Sequence, residues 1–407
     1  MKTDVVVIGG GPAGLFSAAI AAKGGRKVVL IEKNEILARK LRITGKGRCN
    51  VTNSADISDF IEMVCSNPSF MYSAFYSFTN QDTIDFFESK GVPLKEERGG
   101  RIFPVSDRAK DIAQALIDYA KNNGVVIMRD IVTKVISKDN VVCGVETKST
   151  KKIECNKVIV ATGGVSYPLT GSTGDGYKFA KKLGHTIIEP YPSLIPLIVG
   201  EKYVEELQGL SLKNIAVKIY KGTKCVYEDF GEMIFTHYGL SGPVILSASS
   251  NLKNIEDSNY KISIDLKPAL TFEQLDKRLQ RDFEKYINKN FSNALNDLLP
   301  SKMIDTIIRL SNIDPFTKVH QINKQQRIDL CTLLKNFSFS ITGVRPIEEA
   351  IITRGGINTK EINSSTMESK IVKGLFFCGE VIDVDAYTGG FNLQIAFSTA
   401  YLAGSNV

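Results

Sequence analysis

Gly9, Gly11 and Gly14 stand in the spacing G-x-G-x-x-G within "DVVVIGGGPAGLFSAAIAAKG". A pyrophosphate needs a tight turn, a backbone it can approach and a helix N-terminus behind it. Gly9 permits the turn, Gly11 the approach, and Gly14 the close packing of helix on strand. Pro12 and Ala13 open the helix, where a missing N–H is harmless. Glu32 ends the next apolar run, "KVVLIE", with Lys33 after it. A carboxylate there accepts hydrogen bonds from ribose hydroxyls and disfavours a ribose 2′-phosphate. The elements that must hold these residues are a β-branched strand at Asp4–Gly9, an Ala-rich helix and a second strand. Together they read as a βαβ dinucleotide unit.

A second glycine-rich stretch, "ITGKGRCNVTN" at 43–53, invites a P-loop reading. That motif requires Gly where Lys40 stands and Ser or Thr where Gly47 stands, so the reading fails. Near the other end, "GLFFCGE" at 374–380 is an apolar run closing on Gly379 and Glu380. Gly389 and Gly390 then open an Ala-rich helix through Phe391, Asn392 and Leu393. A strand, a Gly-acid pair and a Gly-Gly helix start recur in two-segment FAD folds. There the acid bonds the ribityl chain, and the helix N-terminus faces the pyrimidine end of the flavin. A domain for NAD alone has no need of this distant segment. FAD is therefore the expected cofactor, with NAD(P)H as a transient electron donor.

The chain has 407 residues, which favours two or three domains. Hydrophobic content of 43% and charged content of 23% are ordinary for a folded protein, and the net charge of +7 is spread without a basic run. Seven cysteines show no C-x-x-C spacing, so neither a zinc pattern nor a disulfide framework is expected. No His/Asp/Glu/Cys set has metal spacing. No apolar stretch is long enough to span a membrane. A cytoplasmic setting and a small-molecule substrate are expected, with no nucleic-acid or membrane partner. His185 and His320 read as surface residues.

The middle of the chain changes character. Alternating runs such as "NIAVKIY", "KCVYED" and "KISIDL" predict a small antiparallel sheet or barrel over 191–266. "FSFSITG" at 337–343 returns as a further strand. Helices are expected over 267–336. Thr271 with Gln274 makes a capping box, and Phe272, Leu275, Leu279, Phe283 and Ile287 share one helical face.

Nearly the whole chain resembles the bacterial aminoacetone oxidase-like NAD(P)/FAD-dependent oxidoreductases, one branch of which is labelled a bile-acid enone reductase. The matching stretches include "VVVIGGGPAGLFSA", "RKLRITGKGRCNVTN", "VIVATGGVSYPLTGSTGDGY", "FTHYGLSGPVIL" and "GLFFCGEVIDVDAYTGGFNLQIAFS". The resemblance implies that Arg39 and Lys40 lie near the adenosine ribose and pyrophosphate. It implies that Gly45, Arg48, Cys49 and Asn50 run on towards the isoalloxazine. It places Thr162, Gly163 and Gly164 at close backbone approach to FAD, and the backbone of Val135 against the adenine. A dithiol relay through Cys49 is not expected, for no second cysteine stands nearby.

The expected fold is α/β. It combines a discontinuous Rossmann-like FAD-binding domain of the glutathione-reductase kind (1–190 and 346–407) with an inserted antiparallel β-barrel-like domain (191–266 plus 337–345) and a small helical domain (267–336). Substrate is expected in a cleft beside the inserted domain, where His237 is a candidate proton donor and Tyr238 a candidate hydrogen-bond donor. The expected activity is FAD-dependent oxidoreduction, either as an NAD(P)H-linked reductase of enone-type substrates or as a small-amine oxidase using O2. A flavin-bound binding protein without turnover and an NAD-only dehydrogenase are the rivals.

Overall fold

The computed structural model describes residues 1–149, 152–252, 255 and 259–407. The chain divides into two compact units, Met1–Ser193 with Pro346–Val407, and Leu194–Arg345.

The first unit is built on a five-stranded parallel sheet. β1 (Val5–Ile8) is a wholly buried β-branched run, as a strand covered on both faces requires. α1 (Pro12–Lys23), β2 (Val28–Glu32), β3 (Val126–Arg129) and β4 (Lys157–Val160) follow in the chain. α2 (Asp175–Lys182) comes after β4, and β5 (Leu375–Phe377) and α3 (Phe391–Ser405) come from the far end of the sequence. The order across the sheet is β5-β4-β1-β2-β3. β1 lies between β4 and β2, with Val5 opposite both Lys157 and Val28. The strand order therefore reverses direction at β1. α1 and α3 are buried on most sides and pack on each other; a Cβ on Gly404 would meet the Ser17 carbonyl at 2.6 Å. An antiparallel sheet of Val132–Lys138, Val141–Thr147 and Ile153–Glu154 is inserted between β3 and β4.

The second unit contains a closed six-stranded antiparallel barrel. Its order is Leu197–Val199, Gly239–Ser241, Lys224–Phe235, Ser211–Lys221, Tyr260–Asp265 and Phe337–Val344, which pairs back to the first strand. The segment Phe337–Val344 returns to the barrel as its alternation predicts. The helix Phe272–Lys285 begins with the expected capping box of Thr271 and Gln274. Leu275, Leu279 and Phe283 are buried, and they share one core with the barrel residues Val217, Ile262 and Phe337. The helical stretch and the barrel are thus one compact body. Ile287 departs from the expected face: the helix stops at Lys285, and Ile287 is exposed.

His185 also departs from expectation. It is 3% exposed, with Nε2 2.8 Å from Ser369 Oγ and its ring edge-on to Phe377. The turn after α2 brings it inward, although Gly184 and Thr186 on either side of it give no apolar signal. His320 is exposed, as expected.

Candidate dinucleotide site

The carboxyl ends of β1, β2, β4 and β5 carry Gly9, Glu32, Thr162–Gly164 and Gly379–Glu380. Open α/β sheets bind ligands at that edge, where the strand order reverses.

The three glycines of the first loop have separable roles. Gly9 has φ +106°, and a Cβ on it would stand 2.6 Å from the Ala161 carbonyl oxygen. A Cβ on Gly14 would stand 1.8 Å from the Gly9 carbonyl oxygen, while one on Gly11 would meet nothing within 4 Å. Gly9 and Gly14 thus serve the fold, and Gly11 faces open space. α1 starts at Pro12 with no side-chain cap and no acid in its first turn. Its first N–H groups and the positive end of its dipole are left for an anion. Ala13 abuts Gly379, where an added Cβ would lie 2.9 Å from that of Ala13.

Glu32 is held by backbone. It accepts from Gly10 N at 2.6 Å and from Asn34 N at 2.7 Å, fixing the glycine loop against the next turn. Lys33 Nζ lies 2.6 Å from Asp175 and 2.5 Å from Thr173 Oγ1. Burial raises the Asp175 pKa, but the Lys33 and Thr173 bonds outweigh it and hold the carboxyl below its usual range. Arg39 is exposed. Lys40 Nζ donates to Glu380 at 2.7 and 3.0 Å and to Ser166 Oγ at 2.6 Å. Glu380 also accepts from Thr353 N at 2.9 Å and Ser166 Oγ at 3.0 Å. A cation expected at the pyrophosphate and an acid expected at the ribityl chain thus share one hydrogen-bonded cluster.

The GKG segment is a left-handed turn: Gly45, Lys46 and Gly47 all have positive φ. Arg48 lies over the Phe103 ring at 4.3 Å and pairs with both Glu97 and Asp107, Asp107 at 2.7 Å. Its guanidinium is thus engaged with carboxylates of its own unit. Cys49 is fully buried, and burial pushes its thiol up to about 12. Val135 is buried in the inserted sheet, its backbone paired with Val145. Gly163 has φ +71°, and a Cβ on Gly164 would collide with Thr353 Oγ1 at 2.3 Å.

At the start of α3, Gly390 has φ +105°, and a Cβ there would fall 2.3 Å from the Thr52 carbonyl oxygen. No side chain caps this helix and no acid lies in its first turn. Phe391 packs edge-on to Phe60. Asn392 ties its amide to the backbone of Ala386 and Tyr387, so it shapes the turn that precedes the helix. Leu393 is half-buried.

Among the described residues of this unit, three buried side-chain oxygens have no hydrogen-bond partner: Asn50 Oδ1, Thr162 Oγ1 and Tyr177 OH. Unmade hydrogen bonds in a folded interior call for a missing partner. Together with the open face of Gly11 and the uncapped starts of α1 and α3, they fit a bound dinucleotide. Ser166, Asp175, Tyr177 and Thr353 were not singled out from the sequence. The first three lie in "SYPLTGSTGDGY", whose density of Gly, Ser and Thr after an apolar strand was the available signal.

His237 and Tyr238 belong to the second unit, on the turn between two barrel strands. Thr236 N donates to Gly239 O at 2.8 Å to close that turn. His237 is exposed, its ring 4.8 Å from that of Tyr238, and the Arg345 guanidinium lies 4.6 Å from the Tyr238 ring centre. Among the described residues no group of His, Cys, Asp and Glu could hold a metal ion, and no helix is long and apolar enough to cross a membrane.

A family model described as the HI0933-like protein Rossmann domain matches residues 3–406. The chain is 31% identical over 409 residues to a ribosomal RNA dihydrouridine synthase of Escherichia coli, covering 100% of this chain and 98% of that one. It is 30% identical over 408 residues to a 3-dehydro-bile acid delta(4,6)-reductase of Clostridium scindens, covering 98% and 97%. Among solved structures, it resembles a 3-ketosteroid-delta4-(5alpha)-dehydrogenase of Rhodococcus jostii (TM-score 0.53, 14% identity, 100% and 96% coverage). It also resembles a flavocytochrome c3 fumarate reductase (TM-score 0.54, 17% identity, 100% and 78% coverage). At these identities the two structures speak for the fold.

Proposed function

Because this chain belongs to the HI0933-like family of Rossmann-domain proteins, we propose that it reduces a carbon–carbon double bond conjugated to a carbonyl, with a uracil ring of ribosomal RNA as the leading substrate. Its cofactor is FAD, and its reaction class is oxidoreduction.

The observation that carries the finer reading is chemical. Making a dihydrouridine and reducing a 3-oxo-delta(4,6) steroid both add two hydrogens across a double bond polarised by a neighbouring carbonyl. Relatives named for each reaction match this chain over almost its whole length. FAD, when bound, supplies the hydride chemistry, with NAD(P)H as the proposed ultimate donor. Overall, substrate, NAD(P)H and a proton give the saturated product and NAD(P)+. The small-amine oxidase reading gains no comparable support.

The protein's own contribution is binding and orientation. Gly11 and the start of α1 would receive the pyrophosphate, and Glu32 the adenosine ribose. Lys40 and Glu380 would hold the phosphate-to-ribityl stretch, with Thr162, Gly163 and Gly164 in backbone approach. Gly45 and Asn50 would lie along the flavin side, and Gly389 and Gly390 would turn the N–H groups of α3 towards it. Arg48 and Asn392 support these loops. His237 is the proposed proton donor to the substrate carbon, with Tyr238 as its neighbour.

On this proposal the substrate is ribosomal RNA, whereas the sequence reading expects a small molecule and no nucleic acid. The net charge of +7, though unclustered, favours approach to a polyanion.

The deciding experiment measures dihydrouridine by nucleoside mass spectrometry in ribosomal RNA from a strain lacking the gene. Loss of one modified site, restored by the purified protein with NAD(P)H, supports the reading. Unchanged dihydrouridine together with turnover of a 3-oxo-delta4 steroid would replace RNA with a small enone. Turnover of neither would sink the reductase proposal.

A further inference from the structure

Tyr177 lies in the first turn of α2, just after the loop that leaves β4, and is 7% exposed. Its hydroxyl has no hydrogen-bond partner. A phenol buried without a partner loses its hydration and gains nothing in return. Such a group points to a partner that arrives with a ligand.

The surroundings narrow what that ligand offers. The hydroxyl stands 3.2 Å from where a Cβ on Gly164 would be, beside Thr353 Oγ1 at 2.3 Å from the same point. The ring rests on Gly174, with Cδ2 3.3 Å from a Cβ built there. Thr353 Oγ1 already accepts from Val165 N and Ser166 N. The nearby carboxylates are engaged too: Glu380 with Lys40, Ser166 and Thr353, and Asp383 with Asn67 Nδ2 at 2.9 Å. Burial, and then the charges of Glu380 and Asp383, push the Tyr177 pKa far above its usual value. The phenol therefore keeps its proton and is available as a donor. Two carboxylates close by disfavour a phosphate as the acceptor and favour an uncharged oxygen.

We infer that Tyr177 is a binding residue of the dinucleotide site, its hydroxyl donating a hydrogen bond to an uncharged oxygen on the ribityl side of FAD. The inference rests on the FAD reading and adds a residue to it. Gly164, having no Cβ, lets Thr353 and the Tyr177 hydroxyl pack against its backbone, and the orphaned Thr162 Oγ1 lies close by, 2.3 Å from where a Cβ on Gly176 would be.

The test is Tyr177→Phe in the full chain, with three readouts: affinity for FAD by flavin fluorescence quenching, affinity for ADP by competition, and the melting temperature of protein stripped of flavin. Losing one neutral hydrogen bond should weaken FAD about fivefold to tenfold. ADP, which lacks the ribityl chain, should bind as before. The stripped variant should melt no lower than stripped wild type, because the hydroxyl has no partner there. Unchanged FAD affinity overturns the inference. An equal loss for ADP assigns the donor to the other half of the ligand and overturns it too. A lower melting temperature of the stripped variant, or failure to fold, makes the hydroxyl a structural group and likewise overturns it. If wild type itself bound no FAD, the cofactor reading would fall first.

Discussion

Lys40 and Glu380 stand 340 residues apart in sequence, and their side chains meet at 2.7 Å. The pair joins the loop after β2 to the end of β5 across the edge where the dinucleotide is expected. Each side chain is 18% exposed, so the charges are sheltered without being dry. Removing one partner leaves the other poorly solvated. Lys40→Met should destabilise the protein by about 1–3 kcal/mol and weaken FAD retention as well. Lys40→Met/Glu380→Gln should lose less stability than the two single changes summed. A double-mutant cycle on chemical denaturation checks this, and strict additivity would show that the pair is not coupled.

The glycine loop separates folding from binding. Gly14→Ala places a methyl 1.8 Å from a carbonyl oxygen, and soluble folded protein should not be recovered. Gly11→Ala meets no neighbour, so its circular dichroism and melting temperature should stay near wild type. The added methyl projects where a phosphate would approach, and the flavin absorbance of the purified protein should be lost or much reduced. A fully yellow Gly11→Ala protein would move the pyrophosphate elsewhere.

His185 makes the first unit sensitive to acid. Its ring packs on Phe377, Nε2 faces Ser369 Oγ, and Nδ1 lies 3.2 Å from Glu361. Ser369 Oγ accepts from Ile371 N and Val372 N, so its own hydrogen goes to Nε2 and the ring is neutral. Burial lowers the His185 pKa below 6.5, and Glu361 opposes this only in part. Below that unfolded value the unfolded chain takes up a proton that the folded chain resists. The stabilisation is therefore complete above pH 6.5 and is lost as pH falls through the folded value. Between about pH 7 and 5 the melting temperature of wild type should fall more steeply than that of His185→Gln. Parallel curves would remove His185 as the cause.

The cysteines should react in order of exposure. Cys225 is exposed, whereas Cys49 and Cys378 are fully buried, with thiols pushed up to about 12. A thiol-reactive disulfide reagent should label Cys225 in the native protein and reach Cys49 and Cys378 only on unfolding. Early labelling of Cys49, with loss of activity, would reopen a redox role.

Much of this was readable from sequence because it is local. β1 and β2 declare themselves as short β-branched apolar runs and α1 as an Ala-rich helix, and the G-x-G-x-x-G spacing of Gly9, Gly11 and Gly14 marks the turn between them. The capping box at Thr271 and the alternation of "FSFSITG" are equally short-range, so those elements formed as expected. The segments of the proposed dinucleotide site, from Gly9 to Gly390, stand out in the sequence because most are glycine-rich ends of apolar runs.

The meeting of those segments was decided by the sheet. The order β5-β4-β1-β2-β3 brings Glu380 to Lys40 and Ser166, and a separate antiparallel pairing of Ile352–Ile357 with Ile187–Ser193 carries Thr353, which packs against Gly164. The same packing turns Tyr177 and His185 inward, although their local sequence places both beside polar residues. Arg48 likewise found the carboxylates of Glu97 and Asp107, 49 and 59 residues away in the chain. The sequence by itself determined which backbone could approach a ligand, since that depends on missing side-chain atoms. Which charges pair, and which polar groups are buried without partners, depends on distances between residues far apart in the chain, and those exist only after folding.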